Sequence, residues 1–359
     1  MNHDDDHIGL QKTFSTSTMP LKIAMLCGGT SEEREVSLAS AAMVVPALRG
    51  LGHSVRVLDL GRGLLVEDSS EERRALSAPP AHHECQEHAI SALMACRPSV
   101  LELTRSFDLV FIALHGGTGE DGTVQATLDL IGIPYTGSGH VASGVCMDKD
   151  LTKHLLRAAD ITTPDWCLLT TDSAIYPGDC RYPVVVKPNR QGSTVGLSIV
   201  RHPNKLEAAI QHAFRFDSEV LIEQFIAGRE FTVGVLDNEP LVVGEILIQA
   251  DSAFGYEEKY TPGAIKEQFP ARIGSELTEQ MKDVAQAAHR LLKLRGYSRA
   301  DFRVDSAGKV WLLEVNSLPG LTGTSLFPQS ARAHGIEFPQ LCGMICQLAM
   351  RHGHHDREA

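Results

Sequence analysis

The chain lacks several things a 359-residue sequence could contain, and each absence excludes a class. Its eight cysteines include no C-x-x-C pair, so neither a structural zinc centre nor a disulfide framework is expected. It has no long basic run, and its formal net charge is −12. Nucleic acid is therefore not expected as a main partner, since binding phosphate backbones needs clustered Lys and Arg. An anionic small substrate remains open, because a few local cations can outweigh the mean field. No apolar run is long enough to cross a bilayer; LVFIAL (Leu109–Leu114) is among the longest. A secretory signal is missing too. The first twenty residues, MNHDDDHIGLQKTFSTSTMP, are acidic and polar, and they read as a disordered leader on a cytoplasmic protein.

What is present suits a soluble globular chain of two or three domains. Apolar residues make up 43% and charged residues 22%, enough to bury a sizeable core. Cys342 and Cys346 lie one helical turn apart in an apolar context and read as core packing. The His-rich pieces His82–His88 and His352–His355 read as a polar loop and a terminal tail, not as metal sites.

The pattern of elements points to an α/β protein. LKIAMLCGG (Leu21–Gly29) is an apolar strand ending in paired glycines. A helix follows, stopped by Gly50 and Gly52, and then the strand SVRVLDL. Residues 61–98 read as a variable surface insertion with some helix. FDLVFIALHG (Phe107–Gly116) is a second buried strand ending in glycine. TVQATLDLIG is helical and IPYTG returns to the sheet. Such alternation predicts a parallel sheet with crossovers, with ligands at the carboxyl ends of its strands. Those ends are CGGTSEERE and LHGGTGEDG.

The middle of the chain predicts a helix over Ser143–Asp160, a strand DWCLLT, and a strand–turn–strand unit in RYPVVVKPNRQGSTVGLSIV (Arg181–Val200). A helix and the strand SEVLIEQFI complete a small α+β module. Farther on, two strands flank the turn Asp237-Asn238. Ser275–Gly296 is an amphipathic helix with Leu277, Met281, Val284, Ala288 and Leu291 on one face and Ser275 as its cap. The domain boundaries expected are 1–20, 21–137, 138–228, 229–352 and 353–359.

Chemistry enters near the C-terminus. VWLLEVNSLPGLTGTSL (Val310–Leu326) carries Glu314 and Asn316, two residues apart and so on one strand face. Alone, the pair is as well explained by an edge strand whose polar face meets water. RADFRVD and KVWLLEVN form a hairpin around SAG, however, and this brings Asp301 opposite Glu314. Three oxygen donors at one end of an antiparallel pair suit Mg2+, which keeps waters and shares substrate phosphates. Lys187 closes an apolar strand before the turn NRQGSTVG, a plausible phosphate clamp under a mobile lid. Lys149 is a second candidate cation. Glu223 and Glu230 could accept hydrogen bonds from adenine and ribose, or simply be solvated. The pattern G-x-x-x-x-G-K-[ST] is absent, which excludes a P-loop.

At this point a resemblance is plain. GGTSEEREVSL, ALHGGTGEDGTVQ, PYTGSG, MDK, VVVKPNRQGSTVG, VLIEQFIAGREFTV, YEEKYTPG, RADF and LLEVNSLPGLTGTSLFP occur in the order found in the D-alanine–D-alanine ligases of the ATP-grasp superfamily. The similarity runs from Leu21 to about Met350. It implies an ATP-grasp fold behind an N-terminal parallel-sheet domain. It also implies ligation of two D-alanine molecules with ATP, through an acyl phosphate, for peptidoglycan precursor synthesis.

By that resemblance, Lys149 and Lys187 contact the ATP phosphates. Glu223 and Glu230 hold adenine and ribose, with Gln224, Phe225 and Ile226 lining the adenine pocket. Asp301, Glu314 and Asn316 hold two Mg2+ ions, with Mn2+ a substitute. Glu33 receives the first substrate's ammonium group and forms a hydrogen-bonded trio with Ser193 and Tyr260. His115 lies near the substrates. Arg299 and the Gly320 backbone stabilise the oxyanion of the second step, and Ser325 and Leu326 bind the second carboxylate. A homodimer is implied as well. The chain departs from the pattern at Gln224, where many relatives carry lysine, and at Ser298, where glycine is frequent. Residues 1–20 and 61–98 have no clear counterpart. A D-serine-using or specialised-metabolite ligase, or a nucleotide sensor without turnover, are the competing expectations.

Overall fold

The computed structural model describes residues 19–61, 64–66, 106–171, 181–248 and 265–358. The leader and most of 61–98 lie outside the described residues. Among the described residues the strands form three sheets.

The first sheet contains β1 (Lys22–Cys27), β2 (Ser54–Asp59), β3 (Leu64–Val66) and β4 (Leu109–Ile112), in the order β3-β2-β1-β4. The strands β2, β1 and β4 are parallel, and β3 runs antiparallel at the edge. Five of six residues of β1 and all of β4 are buried, as expected of strands covered on both faces. Helix α1 (Arg34–Gly50) makes the crossover from β1 to β2, and the chain reverses at Gly52 with φ +89°. The return of IPYTG to this sheet is slighter than expected: Tyr135 makes only an isolated parallel bridge to Val110.

Helix α2 (Thr123–Ile131) then leads to α3 (His140–Met147) and α4 (Lys149–Ala158). The sequence predicts one helix here, and the structure breaks it at Asp148. That residue takes an extended ψ of 99°, and its side chain accepts a hydrogen bond from the Leu151 amide. The continuous apolar pattern hides an Asp whose carboxylate competes for the helical backbone donors and caps a new start.

The second sheet is antiparallel: β5 (Trp166–Thr170), β6 (Val184–Pro188), β7 (Ser198–Val200) and β8 (Glu219–Gln224), ordered β5-β8-β6-β7. Helix α5 (Leu206–Ala213) buries Leu206, Ala209 and Ile210 in its core.

The third sheet holds β9 (Arg229–Leu236), β10 (Glu239–Pro240), β11 (Gly244–Ile248), β12 (Ile265–Gln268), β13 (Tyr297–Val304) and β14 (Val310–Asn316). Asp237 and Asn238 both take positive φ, 51° and 68°, the conformation a twisted two-residue hairpin requires. Helix α6 (Ser275–Leu291) buries Met281, Ala285 and Ala288 on this sheet. Ser275 does not cap it. Gly274 stands at the cap, and its carbonyl accepts a hydrogen bond from the Thr278 hydroxyl at 3.0 Å. Helix α7 (Leu326–Ala333) follows β14, and α8 (Phe338–Glu358) folds back onto the first sheet and α1. Its Cys342 and Cys346 are buried there in the first core, together with Ile345 and Leu348, as the sequence suggests.

Candidate active site

The hairpin of β13 and β14 puts Asp301 directly opposite Glu314, and Arg299 opposite Asn316. Directly opposed residues share a sheet face, so the two carboxylates and the amide converge. Asp301 is buried and tightly held. Its Oδ1 accepts from the Thr232 hydroxyl at 2.8 Å and from Arg299 Nε at 2.9 Å. Its Oδ2 accepts from Arg299 Nη2 at 2.7 Å and from Asn316 Nδ2 at 3.1 Å. Burial opposes the Arg299 charge, but Asp301 outweighs it and raises the guanidinium above its usual value.

Among the described residues there is no group of three or more His, Cys, Asp or Glu side chains that could hold a metal. Asp301, Glu314 and Asn316 form a different kind of set: two carboxylates and an amide, all oxygen donors once the Asn316 amide presents its oxygen. That donor set fits a hard divalent cation that completes its shell with water and phosphate oxygens.

A second group gathers at the carboxyl ends of the first sheet. Glu33, at the start of α1, accepts a short hydrogen bond from the Ser193 hydroxyl. The two residues are 160 positions apart in sequence. Burial raises the Glu33 carboxyl; the Ser193 bond, Lys149 and Arg299 oppose this, and Glu314 adds to it. His115 is buried, with Nε2 3.0 Å from the Ser40 hydroxyl. Burial lowers it to about 4, so it is a neutral hydrogen-bonding group near pH 7. The Ser40 hydroxyl also accepts from the Leu321 amide at 3.3 Å, tying His115 to the loop that holds Gly320.

The third group is cationic. Lys149, the first residue of α4, donates to the carbonyls of Gln191 at 2.5 Å and Asn189 at 3.4 Å. Burial lowers its pKa, Glu314 opposes that, and Lys187 reinforces it. Lys187 is buried on β6, with Nζ 3.2 Å from Glu223 Oε1 on the neighbouring β8. Glu230 accepts from Arg303 Nη2 at 2.8 Å, and the same guanidinium stands 5.8 Å from the Phe225 ring. Ile226 is buried and Gln224 exposed.

The loop after β14 carries Gly320. A Cβ there would stand 2.8 Å from the Ser325 Oγ, so a side chain at this position would displace the serine hydroxyl. Ser325 Oγ accepts from the Thr322 amide at 3.0 Å, and Ser325 leads into α7, whose first residue is Leu326. A helix start of this kind presents backbone donors to an anion. Tyr260 lies outside the described residues.

Sequence reasoning passed over four residues here. Thr232 and Ser40 are small hydroxyls without a local signature. Glu120, in the loop before α2, accepts from the Gly116 amide at 2.9 Å. Burial and the neighbouring Glu33 push its carboxyl up to about 8. Lys153 follows Lys149 by one helical turn and is almost wholly buried. The i,i+4 spacing of two lysines on a helix with an apolar stripe is a signal that could have found it.

The comparisons agree with one another. The family model "D-ala D-ala ligase N-terminus" matches residues 22–138, and "D-ala D-ala ligase C-terminus" matches residues 155–347. The D-alanine–D-alanine ligase of Nitratidesulfovibrio vulgaris (strain DP4) is 40% identical over 331 residues, 92% of this chain and 98% of that protein. The D-alanine–D-alanine ligase of Geobacter sulfurreducens is 39% identical over 90% of this chain and 92% of its own length. Among solved structures, the D-alanine–D-alanine ligase of Bacillus anthracis complexed with ATP superposes with a TM-score of 0.75. It is 31% identical and covers 93% of this chain and 99% of its own. The ligase of Coxiella burnetii gives 0.72 at 27% identity, covering 95% of this chain and 97% of its own.

Proposed function

Because this chain belongs to the D-alanine–D-alanine ligase family and carries its ATP-grasp fold, we propose that it joins two D-alanine molecules with ATP as phosphoryl donor. The carboxylate of the first D-alanine attacks the γ-phosphorus and ADP leaves. The resulting acyl phosphate is attacked by the amine of the second D-alanine, which loses a proton, and phosphate departs. A carboxylate is a poor nucleophile toward an anionic phosphate, so catalysis is largely charge neutralisation and positioning.

The observation that carries this reading is the convergence of opposite charges from separate elements. Lys149, Arg299, Glu33 and Glu314 interact electrostatically although they come from α4, β13, the start of α1 and β14. In this reading Lys149 and Lys187 hold phosphates, and Glu223 and Glu230 receive the adenine amino group and the ribose hydroxyls. Gln224, Phe225 and Ile226 border the base. Glu33, steadied by Ser193 and Tyr260, binds the first ammonium group, with His115 nearby. Arg299 and the Gly320 amide face the oxyanion of the second step, and Ser325 and Leu326 take the second carboxylate at the start of α7.

Asp301, Glu314 and Asn316 would hold Mg2+. When bound, such ions neutralise phosphate charge. Arg299 orients the adjacent Asp301 carboxylate through its hydrogen bonds. No helix among the described residues is long and apolar enough to cross a membrane. By family resemblance, the proposal also takes the chain as a cytoplasmic homodimer that supplies cell-wall precursors. The division into segments 21–137, 138–228 and 229–352 is part of this proposal. The tail expected at 353–359, with His352–His355, is instead corrected to helix, since α8 runs on to Glu358, and α8 packs on the first sheet.

The test is a phosphate-release assay with ATP, Mg2+ and D-alanine, followed by mass spectrometry of products from competing D-alanine, D-serine and D-lactate. D-Alanyl-D-alanine is the expected main product. No release above background with any D-amino acid would overturn the reading.

A further inference from the structure

The buried carboxylate Glu223 is held by two lysines, and only one of them belongs to the expected phosphate clamp. Lys187 reaches its Oε1 at 3.2 Å, and Lys153 reaches its Oε2 at 2.8 Å. Lys153 is the more enclosed of the two, with 1% of its side chain exposed against 10% for Lys187. Its ammonium also donates to the Thr163 hydroxyl at 2.7 Å and stands 5.1 Å from the centre of the Trp166 ring. Trp166 is directly opposite Glu223 in the pairing of β5 with β8. An ion pair, a hydrogen bond and an aromatic face thus account for the surroundings of Lys153. It has no room to follow a ligand.

We propose that Lys153 is a positioning residue for the nucleotide site: it holds Glu223 so that Lys187 can leave for phosphate, and so sets the preference for adenine. This rests on the reading that Glu223 accepts from the adenine 6-amino group. The argument is one of pairing. An incoming triphosphate draws Lys187 away from Glu223. A carboxylate left buried without a cation is costly, so with Lys187 as sole partner Glu223 would compete with the phosphate for it. Lys153 removes that competition, because it keeps Glu223 paired in either state.

The same pairing fixes what Glu223 offers the base. Burial favours protonation of its carboxyl, but Lys187 and Lys153 outweigh burial and hold it below its usual value. An ionised carboxylate only accepts hydrogen bonds. It suits an amino group at position 6 of a purine and repels a carbonyl oxygen there. Without Lys153 the carboxyl gains a proton more readily, can donate, and no longer rejects the 6-oxo base. Thr163, which orients the Lys153 ammonium, belongs to the same device.

The test uses steady-state kinetics of the full chain with ATP and with ITP, which carries oxygen in place of the amino group. Lys153→Met should raise KM for ATP about tenfold and reduce the ATP-over-ITP preference about tenfold, while kcat at saturating ATP stays within about threefold. Adding Glu223→Gln to that variant should restore part of the ATP affinity, since a neutral amide no longer retains Lys187. Thr163→Val, a milder change less exposed to misfolding, should shift the preference in the same direction by roughly threefold. An unchanged ATP-over-ITP ratio in either single variant would overturn the inference. So would a double variant no better than Lys153→Met alone. A wild-type enzyme that releases no phosphate from ATP would instead overturn the underlying reading, whatever Lys153 does.

Discussion

Glu33 and Glu120 bring two carboxylates to the backbone of Gly116. The Gly116 amide donates to Glu120 Oε2 at 2.9 Å, and a Cβ on the same glycine would meet Glu33 Oε2 at 2.8 Å. Glu120 also feels Glu33, Arg299 and Lys149. Its carboxyl is raised from 4.5 to about 8, so between those values the folded chain binds a proton that the unfolded chain has released. Stability from this group is therefore lost as pH rises through that window. In metal-free, ligand-free buffer, Glu120→Gln should melt at a higher temperature than wild type at pH 8, and the gap should shrink toward pH 5. Parallel melting curves across that range would refute the shift. Glu314→Gln belongs at the same scale. Neutralising one of the two carboxylates opposed across the hairpin should lower turnover by at least about a hundredfold with the fold intact. Phosphate release at ordinary Mg2+ and a circular dichroism melt check both halves; near-normal release would contradict the proposed metal role. The residues legible in the sequence were those with a local pattern: Glu314 and Asn316 alternate on a strand, and Lys187 closes one. Thr232 and Ser40 act through tertiary neighbours, and Glu120 is perturbed by burial and the distant Glu33 as well as bonded to nearby Gly116, none of which a spacing reveals.

At the scale of elements, the β13–β14 hairpin was readable because a short turn fixes register. Asp301 stands opposite Glu314, but only because the register shifts by one residue between Asp301 and Phe302; the turn alone would have put Asp301 opposite Leu313, and no spacing discloses that bulge. The α3–α4 break was not readable, since residues 140–158 keep a helical apolar pattern and only the Asp148 cap divides them. Sequence likewise does not disclose how closely β9 approaches β13. At Gly228, just before β9, φ is +147° and a Cβ would fall 2.0 Å from the Val304 carbonyl oxygen. Gly228→Ala should cost roughly 1–3 kcal/mol of stability through that overlap. A chemical-denaturation midpoint measures it, and an unchanged midpoint would contradict the packing.

At the scale of the molecule, the sequence foreshadowed a parallel sheet followed by antiparallel α+β units. It did not foreshadow that α8 returns across the chain to the first sheet. A helix shows its apolar face in sequence but not its partner. Residues from all three sheets line the candidate site, and Glu33 with Ser193 spans two of them. Joining them serves one end: moving a phosphoryl group onto a carboxylate. The most direct measurement starts with D-alanine carrying heavy oxygen in its carboxylate, together with ATP and Mg2+. If that carboxylate attacks the γ-phosphorus, one of its oxygens leaves in the released phosphate, and mass spectrometry will find phosphate with a single heavy atom. Phosphate released without any heavy oxygen, alongside formation of the dipeptide, would contradict the acyl-phosphate route.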